Sequence, residues 1–182
     1  MTSGRVIENH GSGERLVLQR TAAQTGGRLL AFELRLAPGG RVPASHSHPA
    51  QEERFTVVEG RLRFRLGRRS LVLGAGDTVS VRPGTAHRFA NPGPGAARVL
   101  VEVRPALRMQ ELLETAAALG AAPRPLHLLL FLREFAAEVR APLLPWAVAA
   151  VTRPLAWLAL ACGLDAGYRR LRRRLAEGAT TP

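Results

Sequence analysis

The chain has 182 residues, 46% hydrophobic and 22% charged, enough for one domain with an appendage and a sizeable core. Two large domains are excluded, as is a chain disordered throughout. The net charge is +12, yet all 26 basic residues are arginine, spread along a chain rich in Ala, Gly and Pro. That pattern reads as a coding bias. With only 5% aromatic residues available for stacking on bases, no specific nucleic-acid partner is expected. The single cysteine, Cys162, excludes an intramolecular disulfide and a zinc site of several thiolates, and suits a reducing compartment. The first residues lack the charged start, apolar run and cleavage site of a secretory signal, so a cytoplasmic location is expected.

From Glu14 to about Arg104 the chain consists of short runs with period-two alternation, broken by glycine and proline turns. Leu30, Phe32, Leu34 and Leu36 alternate with Ala31, Glu33 and Arg35, and Pro38-Gly39-Gly40 ends the run. Leu62, Phe64 and Leu66 alternate with Arg61, Arg63 and Arg65, giving one apolar face and one arginine face. Strands are predicted at 14–20, 28–36, 53–59, 61–66, 69–73, 78–82, 86–90 and 97–104. Such a series of short strands with frequent turns predicts a sandwich or a barrel.

After Pro105 the β-branched residues thin out and Leu and Ala take over, with amphipathic helices predicted at 106–119 and 125–140, separated by Gly120 and Pro123. Further apolar pieces follow at 143–152 and 154–162, then a basic helical stub and a polar tail. The expected division is a β-barrel domain over 1–104 and a helical, hydrophobic extension over 105–182. Residues 141–164 carry one charge, Arg153, but the uncharged stretches beside it are 12 and 11 residues, short of the roughly 18 to 20 needed to cross a bilayer. Two uses of the extension stay open. Its helices pack on the barrel or across a homodimer partner, or the region 141–174 lies on an anionic membrane surface through Trp146, Trp157 and the arginine cluster at 169–174.

Of five histidines, His46, His48 and His87 fall within the β region. In an extended segment His46 and His48 point to the same face. After a turn at Pro49-Ala50, the next strand sends Glu53, Phe55 and Val57 to one face, and His87 shares a face with Phe89 in another strand. Glu52 is a rival for Glu53 but has the wrong parity. Three imidazoles and a carboxylate directed into an apolar interior are costly to bury unless something organises them. One divalent ion does so, and three nitrogens with one oxygen suit Fe, Mn, Zn, Ni, Co or Cu. Phe55, Val57, Phe64 and Phe89 are expected in the barrel core, where they could also wall an apolar substrate pocket. His10 and His127 lie outside this group.

These residues carry a resemblance to the cupins. The first cupin motif, G-x5-H-x-H-x3/4-E-x6-G, is matched by Gly40, His46, His48, Glu53 and Gly60. The second, G-x5-P-x-G-x2-H-x3-N, is matched by Gly76, Gly84, His87 and Asn91, with Arg82 in the proline position and Pro83 one place later. Pro83-Gly84 is expected to form the turn all the same, and the motif glycines read as turn residues. The resemblance spans roughly 14–104 and implies a double-stranded β-helix, or jelly-roll barrel, with one divalent transition metal at its centre, held by His46, His48, Glu53 and His87.

The resemblance also implies two classes of function. One is a metal-dependent enzyme of dioxygenase, isomerase or decarboxylase type, acting on a small, partly apolar molecule, its chemistry passing through the metal and its four ligands. No second carboxylate, Tyr or Lys stands on the motif face as an obvious general base. The other is a non-catalytic module that senses a metal or small molecule and signals through the helical extension.

Overall fold

The computed structural model describes residues 4–42, 44–141, 154–158 and 160–179. The strands among them are β1 (Val6–Asn9), β2 (Glu14–Arg20), β3 (Leu30–Leu36), β4 (Glu52–Glu59), β5 (Arg61–Leu66), β6 (Arg69–Gly74), β7 (Thr78–Val81), β8 (His87–Ala90) and β9 (Ala97–Arg104). They form two antiparallel sheets, ordered β1-β2-β3-β9-β4-β7 and β6-β5-β8. Period-two alternation decides which side chains meet between them. Leu34, Leu36, Phe55, Leu62, Phe64 and Val99 are buried there, while Arg61, Arg63 and Arg65 point outward from β5. The chain between β3 and β4 runs along β8, with Arg41 bridging Ala90 and His46 bridging His87. The result is the jelly-roll barrel that the motifs imply.

Where the boundaries differ from expectation, local hydrogen bonds explain the shift. β3 starts at Leu30 because Arg28 and Leu29 donate their N–H groups back to Thr25, through its carbonyl and its hydroxyl. β1 was not expected: it is only four residues long and offers a single inward apolar side chain, Ile7, too little for a periodic signal. The first helix starts at Met109 rather than 106, since Ala106 donates to the Gly27 carbonyl and the carbonyls of Pro105 and Ala106 both accept from Gln51.

Helices α1 (Met109–Leu119), α2 (Pro125–Glu134) and α3 (Ala166–Ala179) follow the barrel. α2 stops six residues before the expected end at 140, because the N–H groups of Glu138 and Val139 both turn back to the Phe135 carbonyl. Residues 154–158 and 160–161 are also helical, as expected for that piece, whereas 143–152, Trp146 and most of 141–164 lie outside the described residues. Among the described residues no helix is long and apolar enough to cross a membrane. The arginine cluster at 169–174 does not face outward as a whole. Arg169 pairs with Asp165, and Arg172 pairs with Glu111 and Glu134.

The helices are joined to the barrel and to one another. Arg5, just before β1, pairs with Glu114 of α1 at 3.3 Å. Phe135, 0% exposed, has two guanidiniums over its ring, with Arg108 4.8 Å and Arg172 5.3 Å from the ring centre. Both arginines bond Glu111 and Glu134, and the Tyr168 hydroxyl donates to Glu134 at 2.7 Å. Ala106, Met109, Leu130 and Phe135 share one apolar cluster with the barrel side chains, so the core runs across Arg104 without a break.

Gly60 shows why the first motif ends in glycine. Its φ is +78°, and a Cβ there would meet the Ala96 carbonyl oxygen at 2.9 Å and Ala97 Cα at 3.0 Å. The left-handed conformation alone costs other residues about 1–2 kcal/mol. Gly60→Ala should therefore lower stability in urea unfolding by about 2 kcal/mol or more. A change below about 0.5 kcal/mol, the ordinary range for a surface substitution, would contradict the role.

Candidate metal centre

His46 and His48 reach the site from the segment that runs along β8, Glu53 from β4, and His87 from the first position of β8. The two motifs are tied through the main chain. His46 and His87 exchange both N–H···O bonds, at 3.0 and 2.8 Å, and Gly84 donates to the His48 carbonyl at 2.8 Å. The turn around the displaced proline forms as expected, with Thr85 N–H on the Arg82 carbonyl and Gly84 at φ +77°. One ligand atom from each of His46, His48, Glu53 and His87 lies within 4.8 Å of the others. At bond lengths of about 2.1 Å, ligands on opposite sides of one ion stand about 4.2 Å apart. Contraction of a few tenths of an ångström would complete such a shell.

The hydrogen bonds behind the ring nitrogens fix which atoms face inward. Nδ1 of His46 lies 3.1 Å from the Ala44 carbonyl, that of His87 3.3 Å from the Thr85 carbonyl, and that of His48 2.6 Å from the Glu138 carbonyl. A carbonyl only accepts, so each Nδ1 carries the proton and each Nε2 keeps its lone pair for the site. Glu53 Oε2 then sits 2.9 Å from His87 Nε2 and 3.3 Å from His48 Nε2. All three atoms are buried without another hydrogen-bond partner. Lone pairs converging in an apolar interior need a positive charge between them. The residues therefore fit a divalent cation.

Beneath the site, His87 stacks on Phe64 at 5.7 Å between ring centres, and Phe64 meets Phe55 at 5.0 Å and Phe89 at 5.8 Å. Phe55, Val57, Phe64 and Phe89 are all buried, forming the apolar floor under the imidazoles. His46 is the most accessible of the four polar residues.

Residues 32–103 match the family described as "Cupin domain". Among solved structures, an RmlC-like cupin from Shewanella frigidimarina is similar at 20% identity and a TM-score of 0.51, over 59% of this chain and 88% of that one. The barrel is a cupin domain. A predicted oxalate decarboxylase from Thermotoga maritima also reaches a TM-score of 0.51, at 18% identity, over 57% of this chain and 92% of that chain. At such identities the likeness concerns the fold alone. Two curated Streptomyces proteins are closer in sequence. Tetracenomycin polyketide synthase protein TcmJ of S. glaucescens is 31% identical over 102 residues, 56% of this chain and 66% of that protein. Polyketide synthase CurC of S. cyaneus is 36% identical over 70 residues, 38% of this chain and 45% of that protein. This chain thus matches less than two thirds of the length of either relative.

In the cupin pocket, burial foremost, and then the neighbouring His87 and His48, bring His46 down from the usual 6.5 to about 4. Burial alone would raise Glu53, but His48, His87 and His46 outweigh it and bring the carboxyl from 4.5 to about 2. Both folded-state values lie below the unfolded ones, so in acid the unfolded chain binds more protons and stability rises with pH. The His46 contribution is complete above pH 6.5 and lost as pH falls through about 4, while that of Glu53 is complete above 4.5 and lost toward 2. The urea midpoint of the metal-free protein should fall steadily on acidification below about pH 6.5, and His46→Asn should flatten the upper part of that decline. A midpoint unchanged down to about pH 4 would contradict the assignment.

Glu52 is exposed on the opposite face of β4, as its parity requires. His10 lies on the surface beside Glu8, and His127 packs near Tyr168, so neither joins the cluster. Asn91, matched only by motif, proves to be a clasp: its amide donates to the carbonyls of Leu36, Ala37 and Gly95, and its oxygen accepts from Gly93 N–H. Sequence reading missed the roles of Gln51 and of the Glu138 carbonyl. A main-chain oxygen leaves no residue signature, and a lone Gln beside two glutamates leaves hardly more.

Proposed function

We infer that the protein is a metal-dependent cupin enzyme in which His46, His48, Glu53 and His87 hold one divalent transition ion. The observation that carries this reading is the convergence of the buried, unpartnered Nε2 atoms of His48 and His87 on Glu53 Oε2. A divalent ion held by His46, His48, Glu53 and His87 would supply Lewis-acid polarisation of a carbonyl or enolate oxygen. The chain's own residues set the frame. Carbonyls behind each Nδ1 fix the tautomer and orientation of the imidazoles. Phe55, Phe64 and Phe89 exclude water below the site and suit a small, partly apolar molecule.

The two Streptomyces relatives are named for polyketide synthesis, which favours a carbonyl-bearing, partly aromatic substrate of polyketide type. The competing reading, a non-catalytic sensing module, differs in whether the ion keeps open positions. Water-proton relaxation of the manganese-loaded protein, titrated with a β-dicarbonyl probe, tests this. Exchangeable water displaced by the probe, and lost in His87→Ala, is the expected result. A loaded protein with no exchangeable water and no probe binding would move the reading to the sensor.

A further inference from the structure

We propose that residues 135–140, the turn that ends α2, are a positioning element of the metal centre; this rests on the metal reading above. His46 and His87 each lean on a carbonyl two residues away in their own segment, that of Ala44 or Thr85. His48 does not. Its Nδ1 bonds the main-chain carbonyl of Glu138, 90 positions further along the chain, and at 2.6 Å this is the shortest of the three contacts. The inward lone pair of His48 therefore depends on a segment outside the strands of the barrel.

That carbonyl is held from two sides. On the barrel side, Ser47 and Arg140 exchange both main-chain hydrogen bonds, at 2.9 and 2.8 Å, an antiparallel bridge beside the first cupin motif. On the helix side, the Phe135 carbonyl accepts from both Glu138 and Val139, closing the turn, while its ring is held under the Arg108 and Arg172 guanidiniums. These guanidiniums join α1, α2 and α3 through Glu111 and Glu134. A shift of the helices against the barrel would move the turn, free the His48 ring to rotate or change tautomer, and weaken the ion's hold. Partners behind metal-bound histidines typically tune metal affinity about 10–100-fold.

Arg140→Pro tests the idea in the full chain, because it deletes the N–H on Ser47 without touching a ligand or Phe135. Phe135→Leu serves as a second variant that keeps every main-chain donor. Cobalt(II) alone is the probe, read as affinity and as its visible spectrum, beside nitrogen-15 NMR of the imidazole tautomers in the metal-free protein. The expected result is cobalt bound at least about 10-fold more weakly by either folded variant, an altered spectrum, and His48 shifted from one Nδ1–H tautomer to a mixture. His46 and His87 should keep theirs. Equal affinity in wild type and both variants, with the His48 tautomer unchanged, would overturn the proposal alone. A wild-type chain that takes up no cobalt would overturn the metal reading as well.

Discussion

Truncation after Arg104 is expected to yield a fragment that aggregates and does not retain metal. Ala106, Met109, Leu112, Leu130, Phe131 and Phe135 are buried in the same cluster as the barrel side chains. At about 1.5–3 kcal/mol for each large apolar side chain, the five larger ones contribute an amount comparable with the whole net stability of a domain, about 5–15 kcal/mol. The cut would also remove the carbonyls that satisfy Gln51 and the one that orients His48, leaving buried donors without partners. Exposed apolar surface of this kind drives association. Size-exclusion chromatography with light scattering decides the matter, and a monodisperse fragment that melts cooperatively and binds metal would show the helices to be accessory.

The second large effect concerns the ligands themselves. His87→Ala should lower metal affinity by more than about 100-fold, beyond the 10–100-fold typical of substitutions behind the ligands, while far-UV circular dichroism stays that of a barrel. His87 is 1% exposed and stacked on Phe64, so the variant also leaves a cavity costing on the order of 2–4 kcal/mol. His48→Ala should lose metal similarly. His10→Ala, on the exposed surface, should change neither metal content nor stability. Full loading of His87→Ala would remove that residue from the ligand set.

The barrel and its centre were legible because both are written in side chains at short, regular spacing. Alternation in Leu62-Arg63-Phe64-Arg65 assigns each residue to a face, and β5 keeps that assignment. Strand parity chose Glu53 over Glu52, and the structure places Glu53 inside and Glu52 outside. The spacing of His46, His48 and Glu53 works the same way, since each side chain's direction follows from extended backbone. What escaped is carried by the main chain or by distant partners. The run 125–140 has helical periodicity throughout, yet tertiary pairing with Ser47 draws its last residues out of the helix. Arg108 and Arg172 stand 64 positions apart, and nothing local reveals that both guanidiniums gather over Phe135.

The central claim is that one ion sits where His46, His48, Glu53 and His87 converge. Elemental analysis of untagged wild-type protein, beside His46→Ala and His87→Ala, measures this most directly. About one equivalent of a first-row divalent metal in the wild type, lost in both variants, is the predicted result. Wild-type protein that stays folded, contains no metal and cannot be reloaded would contradict it.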